Sequence, residues 1–546
     1  MNRRIFLGLA AAAALPAATR PNVIFVLTDD QGFGDLSIHG NPHLQTPNMD
    51  AIARDGVQFT QFQVCPVCSP TRSSLMTGRY NYRTGIVDTF LGRSLMYPDE
   101  VTIAEVLGDA GDRTGIFGKW HLGDNYPMRA MDQGFQEALV LKGGGIGQAS
   151  DPPGSSYFDP ILFHNGVQKK YTGYCTDVYF NEAMRWIEAD RSKPYFAYLP
   201  TNAPHSPLQV DDKYADPFRA KGLHDETARV YGMVKNIDDN LGNLLAMLKR
   251  TNQERDTIVM FMTDNGAIGE PRFNAGLRGE KTTPYQNGIH VPFFLRWPAR
   301  VKPNSKVDRI AAHIDLFPTL LEACGVSMPP KLKIDGRSIL PLAEGKSPAW
   351  PDRALFTQWH RGDRPEPFRS SAVRTQRYKL INGVELYDLE ADPGEKHDIA
   401  AANPEIVADL RQRYTAWFAD VAAPRDYAPS RIYIGTKYEN PVVLTRQDWR
   451  VAPEAKGPAV GWWEVDVKTA GRYKITVTLD ANVPAGEALF ELNGIVKSAA
   501  IARGAASCEF PNVQLPAGTG RLRFTLKSGS RELGAKFVDV FQLAAP

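Results

Sequence analysis

Short uninterrupted apolar runs recur along the first half of the chain, and each ends in polar or charged residues. The run 23–27 ends at Thr28-Asp29-Asp30 and the run 114–117 at Gly118-Lys119-Trp120-His121. Residues 195–199 lead into Pro200 and on to His205, and residues 258–262 into Thr263-Asp264-Asn265. Runs of this length suit strands covered on both faces. Between the last two, residues 225–249 place Val230, Val234, Ile237, Leu241, Leu244, Leu245 and Leu248 at helical spacing. Strands separated by helices predict an α/β fold, an open parallel sheet flanked by helices. In such sheets ligands sit beyond the carboxyl ends of the strands. Here acids, a lysine and histidines collect at those ends.

The pattern changes twice. Residues 372–381 and 384–389 flank Asn382-Gly383, a strong hairpin signal. The amphipathic stretch 403–418 follows, so a small antiparallel sheet with one packed helix is expected. After Pro424, residues 471–479 and 522–526 alternate strictly, which predicts an all-β sandwich. The expected partition is an export signal at 1–18, an α/β domain at 19–350, a C-terminal subdomain at 351–424 and a β module at 425–546. Trp462 and Trp463 open a strand of that module, where one is expected in the core and the other is free to stack on a sugar.

Composition narrows the partners. The 546 residues are 43% hydrophobic, and 63 basic against 61 acidic residues leave a formal charge of +2, without the basic bias of a nucleic-acid binder. Arg3-Arg4 followed by a short apolar stretch and small residues near Ala17-Ala18 read as a Sec or twin-arginine export signal, which points to a periplasmic or secreted protein. No run is long enough to span a bilayer. Five cysteines leave at least one unpaired, and Cys65-Pro66-Val67-Cys68 admits a redox reading.

The most informative segment is Cys68-Ser69-Pro70-Thr71-Arg72, followed by Leu75-Met76-Thr77-Gly78-Arg79. Pro70 suits a first helical position, which puts Cys68 at a helix N-terminus, where free N–H groups favour an anion. Asp29, Asp30, Asp264 and Asn265 offer only oxygen donors, a set that selects calcium or magnesium over zinc. The Cys68 segment resembles the C-x-P-x-R signature of the type I, formylglycine-dependent sulfatases of the alkaline phosphatase superfamily, with its T-G-R element. Gly118-Lys119-Trp120-His121-Leu122-Gly123 matches a second family segment, Asn202-Ala203-Pro204-His205 a third, and Lys281 a lysine ahead of a glycine-rich turn. Leu386-Tyr387-Asp388-Leu389 resembles the family's C-terminal hairpin.

The resemblance covers about residues 21–418 and implies an alkaline-phosphatase-like fold and hydrolysis of sulfate esters. It implies that Cys68 is converted to formylglycine by a formylglycine-generating or anaerobic sulfatase-maturing enzyme, and that one hydroxyl of the hydrated aldehyde attacks sulfur. Asp29, Asp30, Asp264, Asn265 and the modified Cys68 would hold Ca2+, with Mg2+ as the alternative. Lys119 and Lys281 would bind sulfate oxygens, His205 with Lys281 would face the leaving oxygen, His121 would take a proton from the diol, and Arg72 would hold it. Two departures bear on loop geometry: Gln286-Asn287-Gly288-Ile289-His290-Val291-Pro292 replaces an E-G-G-x-R-V-P turn, and Glu280 replaces a small residue. The expected substrate is a sulfated carbohydrate, with His360 and Arg361 as candidate pocket residues. A phosphodiester or phosphonate monoester hydrolase on the same scaffold is the near alternative. A non-catalytic glycan-binding protein is the distant one.

Overall fold

The computed structural model describes residues 20–346, 350–423, 425–451 and 460–544. The expected export signal at 1–18 lies outside them. No described helix is long and apolar enough to cross a membrane.

The dominant layer is a ten-stranded mixed sheet. Its centre is parallel: Asn22–Thr28 lies between Thr257–Thr263 and Tyr195–Pro200, and the latter pairs with Arg113–Lys119, which pairs with Glu137–Leu141. The expected all-parallel sheet gives way at its margins. Phe293–Arg296 runs antiparallel to Thr257–Thr263, and the hairpin Ile161–His164 with Val167–Lys170 closes the other side. Only the Ile161–His164 and Val167–Lys170 pair is a tight hairpin, which can join only antiparallel neighbours.

Alternation along the central strands divides the core. Val23, Phe25, Leu27, Ile258, Met260 and Met262 face one cluster, while Ile24, Val26, Val259 and Phe261 face the other. Both faces are apolar, so the sequence shows continuous runs instead of alternation. The 26-residue helix Asp225–Arg250 covers the second face through Val230, Val234, Ile237, Leu241, Leu244 and Leu248. Leu75, Met76, Ile103, Leu107, Leu316 and Leu320 belong to helices over the first.

A four-stranded antiparallel sheet, Leu355–Gln358, Ser371–Arg374, Tyr378–Ile381 and Glu385–Asp388, packs against the helix Pro404–Ala422 through Leu380, Leu386, Tyr414 and Trp417. The expected single strand 372–381 is two strands, since Tyr378 O receives the Thr375 N–H across a turn. Asn382 and Gly383 both sit at positive φ, 53° and 72°, as a tight reversal requires. The C-terminal region forms a six-stranded and a four-stranded sheet around one core that includes Trp449, Trp463, Tyr473 and Phe524. Leu95 and Met128, from loops of the α/β region, belong to that same core.

Candidate active site

The carboxyl ends of four adjacent central strands converge. Asp29 and Asp30 follow Asn22–Thr28, and Asp264 and Asn265 follow Thr257–Thr263. Ligand atoms of Asp29, Cys68 and Asp264 lie within 4.8 Å of one another, as do those of Asp29, Asp30 and His205. The backbone of Asp30 is left-handed, with φ 65°, a conformation that costs a non-glycine residue energy and clusters at functional sites. Asn265 Nδ2 donates to Asp30 Oδ1 at 2.7 Å.

Charge is crowded here. Burial alone would raise the Asp29 carboxyl, but Lys119 and His205 outweigh it and hold the group below the usual range. Burial likewise opposes ionisation of Asp30, and Lys281 reverses the balance. At Asp264 burial and the Asp29 charge win over Arg72, and the carboxyl is pushed up. Among the described residues the buried Asp29 Oδ1 and Asn265 Oδ1 have no hydrogen-bond partner. Oxygen donors, two of them unpartnered, around an acid that burial and its neighbours push toward protonation fit a hard divalent cation.

Cys68 is the first residue of the helix Cys68–Thr77, all ten residues of which are buried. Pro70 occupies the third position and not the expected first, so the helix begins at Cys68 itself. Cys68 Sγ lies 3.4 Å from His121 Nδ1. Arg72 Nε and Nη2 bond Asp264 Oδ2 at 3.0 and 2.7 Å, and Nη1 donates to Lys119 O at 2.7 Å. The guanidinium therefore braces Asp264. Cys65 does not pair with Cys68, since both thiols are free. Burial pushes the Cys65 thiol up to about 12, with Thr71 opposing, so Cys65 supplies no reactive thiolate for a redox pair.

His121 also has a left-handed backbone, φ 60°. Its Nε2 lies 2.7 Å from Thr89 O, an atom that can only accept, so Nε2 carries the proton and the Nδ1 lone pair faces residue 68. Burial, then Lys119, holds its pKa well below the usual histidine value, so the ring is a neutral imidazole. A Cβ added at Gly144 would fall 2.6 Å from His121 Cε1, so Gly144 lies directly against the ring. Lys119 is fully enclosed and ion-paired with Asp29. Lys281 Nζ donates to Asp30 Oδ1 at 2.5 Å, and Thr282 after it has φ 77°. His205 Nε2 is 3.8 Å from Asp30 Oδ2, while its Nδ1 meets Ser206 O at 2.7 Å. The altered turn forms the short helix Gln286–Ile289. Gly288 O accepts from Gly266 N–H at 3.0 Å, tying this turn to the Asn265 end of its strand. Glu280 points to solvent.

A cavity of ≈ 410 Å³ opens onto Cys68, His121, His205, Lys281, Arg361 and Gln447. His360 and Arg361 separate: Arg361 reaches the cavity, bonded to Asp88 Oδ1 at 2.8 Å, whereas His360 Nε2 accepts the Glu366 N–H at 2.8 Å and is structural. Trp463 is core, donating to Thr445 O, and Arg521 covers the half-buried Trp462. Gly144 and Gln447 are residues the sequence reading missed. Three glycines after the apolar strand 137–141 are a legible sign of close backbone approach; Gln447 carries no local sign at all.

A family model described as Sulfatase matches residues 21–326, and a second, N-sulphoglucosamine sulphohydrolase, C-terminal, matches 279–419. N-acetylgalactosamine-6-sulfatase of Canis lupus familiaris is 31% identical over 477 residues, 76% of this chain and 88% of that protein. N-acetylglucosamine-6-O-sulfatase of Bacteroides thetaiotaomicron is 26% identical over 484 residues, 70% and 82% of the two chains. The crystal structure of Ps i-CgsB in complex with k-i-k-neocarrahexaose is 28% identical with TM-score 0.68, covering 74% of this chain and 94% of that one.

Proposed function

This chain belongs to the sulfatase family and is a sulfuric ester hydrolase, and on that premise we propose that it removes sulfate from a glycan outside the cytoplasm. The observation that carries the reading is the cavity that joins Cys68, whose thiol lies against Asp29 and Asp264, to Lys281, His205 and the rim cation Arg361. Two relatives named for the 6-sulfates of N-acetylated amino sugars and a neighbour solved in complex with k-i-k-neocarrahexaose support the glycan class.

The roles follow from position. Calcium or magnesium held by Asp29, Asp30, Asp264 and Asn265 would supply positive charge at a sulfate oxygen, and formylglycine made from Cys68 by a maturing enzyme would supply the nucleophilic oxygen. Arg72 orients Asp264 by bonding its Oδ2 through Nε and Nη2. Lys281 presents its ammonium between Asp30 and the cavity, where negative charge spreads in the transition state. Lys119 neutralises Asp29 from beneath. His205 faces the cavity with Nε2 and delivers a proton to the leaving oxygen; His121 receives one at Nδ1. Residues 21–346 and 350–423 carry this machinery, and 425–451 with 460–544 form the appended β module.

The test is sulfate release by fully matured protein from sulfated mono- and oligosaccharides, run beside phosphate and phosphonate esters. Release from at least one sulfated sugar, far above any phosphorus ester, is expected. Hydrolysis of phosphonates with every sulfated sugar inert would overturn the assignment.

A further inference from the structure

The β module's Gln447 stands on the wall of the active-site cavity, although neither family model extends past residue 419. Three contacts put it there. The Gly92 N–H donates to Gln447 O at 3.0 Å, Ser430 Oγ donates to Leu95 O, and the Glu439 carboxylate accepts the Tyr126 N–H at 2.7 Å. Leu95 and Met128 enter the module's own core, so the seam is apolar as well as hydrogen-bonded.

The orientation of the carboxamide is fixed. Gln447 Nε2 donates to Thr89 O at 2.9 Å and to Ser94 Oγ at 3.3 Å. A carbonyl can only accept, so the nitrogen must face Thr89 and the oxygen must face away. Gln447 is almost fully buried, and among the described residues its Oε1 accepts no hydrogen bond. The side chain lines the cavity beside Cys68, His121 and Lys281.

From this geometry we infer that Gln447 is a specificity-determining residue of the sulfatase site, accepting a hydrogen bond at Oε1 from a hydroxyl or amide N–H of the sulfated sugar. A neutral acceptor offers nothing to the sulfate itself, which carries no donor. It reads the sugar near the ester and rests on the glycan reading above. A simple aryl sulfate has no donor to give it. Loss of one neutral hydrogen bond in a closed site is worth roughly tenfold.

The experiment compares wild type with Gln447→Met, which keeps the volume and removes the hydrogen-bonding groups, and with Gln447→Ala. The substrates are the best sulfated sugar of the panel and 4-nitrophenyl sulfate, with thermal melting as the folding control. The inference requires kcat/KM on the sugar to fall about tenfold further than on the aryl ester, mostly through KM. Equal losses on both substrates, centred on kcat, would mean that Gln447 acts only through Thr89 on His121, and would overturn it. So would unchanged kinetics on the sugar. Wild type inert on every sugar yet active on the aryl ester would sink the glycan reading and this one together.

Discussion

Gly144→Ala tests how tightly the imidazole of His121 is held. Gly144 has an ordinary negative or extended backbone, so alanine fits the main chain and only the methyl group matters. That methyl would stand 2.6 Å from His121 Cε1, 2.8 Å from Nε2 and 2.6 Å from Gln148 Oε1. Carbon atoms settle at about 3.5–4 Å, so one partner must retreat by about 1 Å. Gln148 ends a flexible side chain and can swing away. His121 cannot do so freely, because Nε2 is tied to Thr89 O and its carbonyl receives Ser69 Oγ at 3.0 Å. Moving the ring lengthens the 2.7 Å contact to Thr89 or opens the 3.4 Å approach to residue 68. A misplacement of about 1 Å in a catalytic group lowers rate by roughly 10²-fold. Steady-state kinetics should therefore show kcat down about 100-fold, KM little changed and the melting temperature near that of wild type. Gly145→Ala, whose methyl would meet His205 Nδ1 at a milder 3.3 Å, should lose much less. Full kcat in a normally folded Gly144→Ala protein would show that the ring has room, and would refute the reasoning.

Arg361→Ala should raise KM about tenfold on a sulfated sugar with little effect on melting, while His360→Ala should lower melting by stranding the Glu366 N–H and leave KM near normal; kinetics with thermal scans separate the two. Lys379 and Glu395 form a wholly enclosed pair at 2.6 Å, and burial pushes the lysine down to about 8 against the pull of Glu395. Lys379→Met alone should cost about 3–5 kcal/mol in urea unfolding, and adding Glu395→Leu should recover much of it; no difference between single and double variants would contradict the pairing. Chelation should abolish turnover and lower the melting temperature, with calcium or magnesium restoring both, because a ligand that binds only the folded state stabilises it. Cys65→Ser should keep near-normal turnover, as its thiol meets His313 Nε2 at 3.5 Å and not residue 68.

The sheet and its acidic rim were legible because the physics is local. A strand buried on both faces must be apolar throughout, and Asp29-Asp30 and Asp264-Asn265 stand where such runs stop. Helix 225–250 declared itself through an unbroken apolar stripe. The antiparallel margins were not legible, since three- and four-residue strands carry no directional signal. Arg72 and Lys119 were visible as members of the constellation, but their attachment to Asp264 and Asp29 depends on strand order, which no short window contains. His360 and Arg361 looked equivalent as neighbours in sequence; only the bend at Gly362, φ 147°, with the return of Glu366 sends one inward and the other to the rim. Gln447 is the extreme case. Its partner Thr89 lies 358 positions away, and a lone glutamine is silent without that contact.

Leu95 and Met128 set a rule for anyone grafting this enzyme onto another. Because they fill a core that otherwise belongs to the last hundred-odd residues, cutting the chain near residue 424 would leave two greasy stumps on one fragment and a hollow in the other. A chimaera that swaps the tail to retune substrate preference must carry residues 91–95 and 125–129 with it, or the new wall will not close.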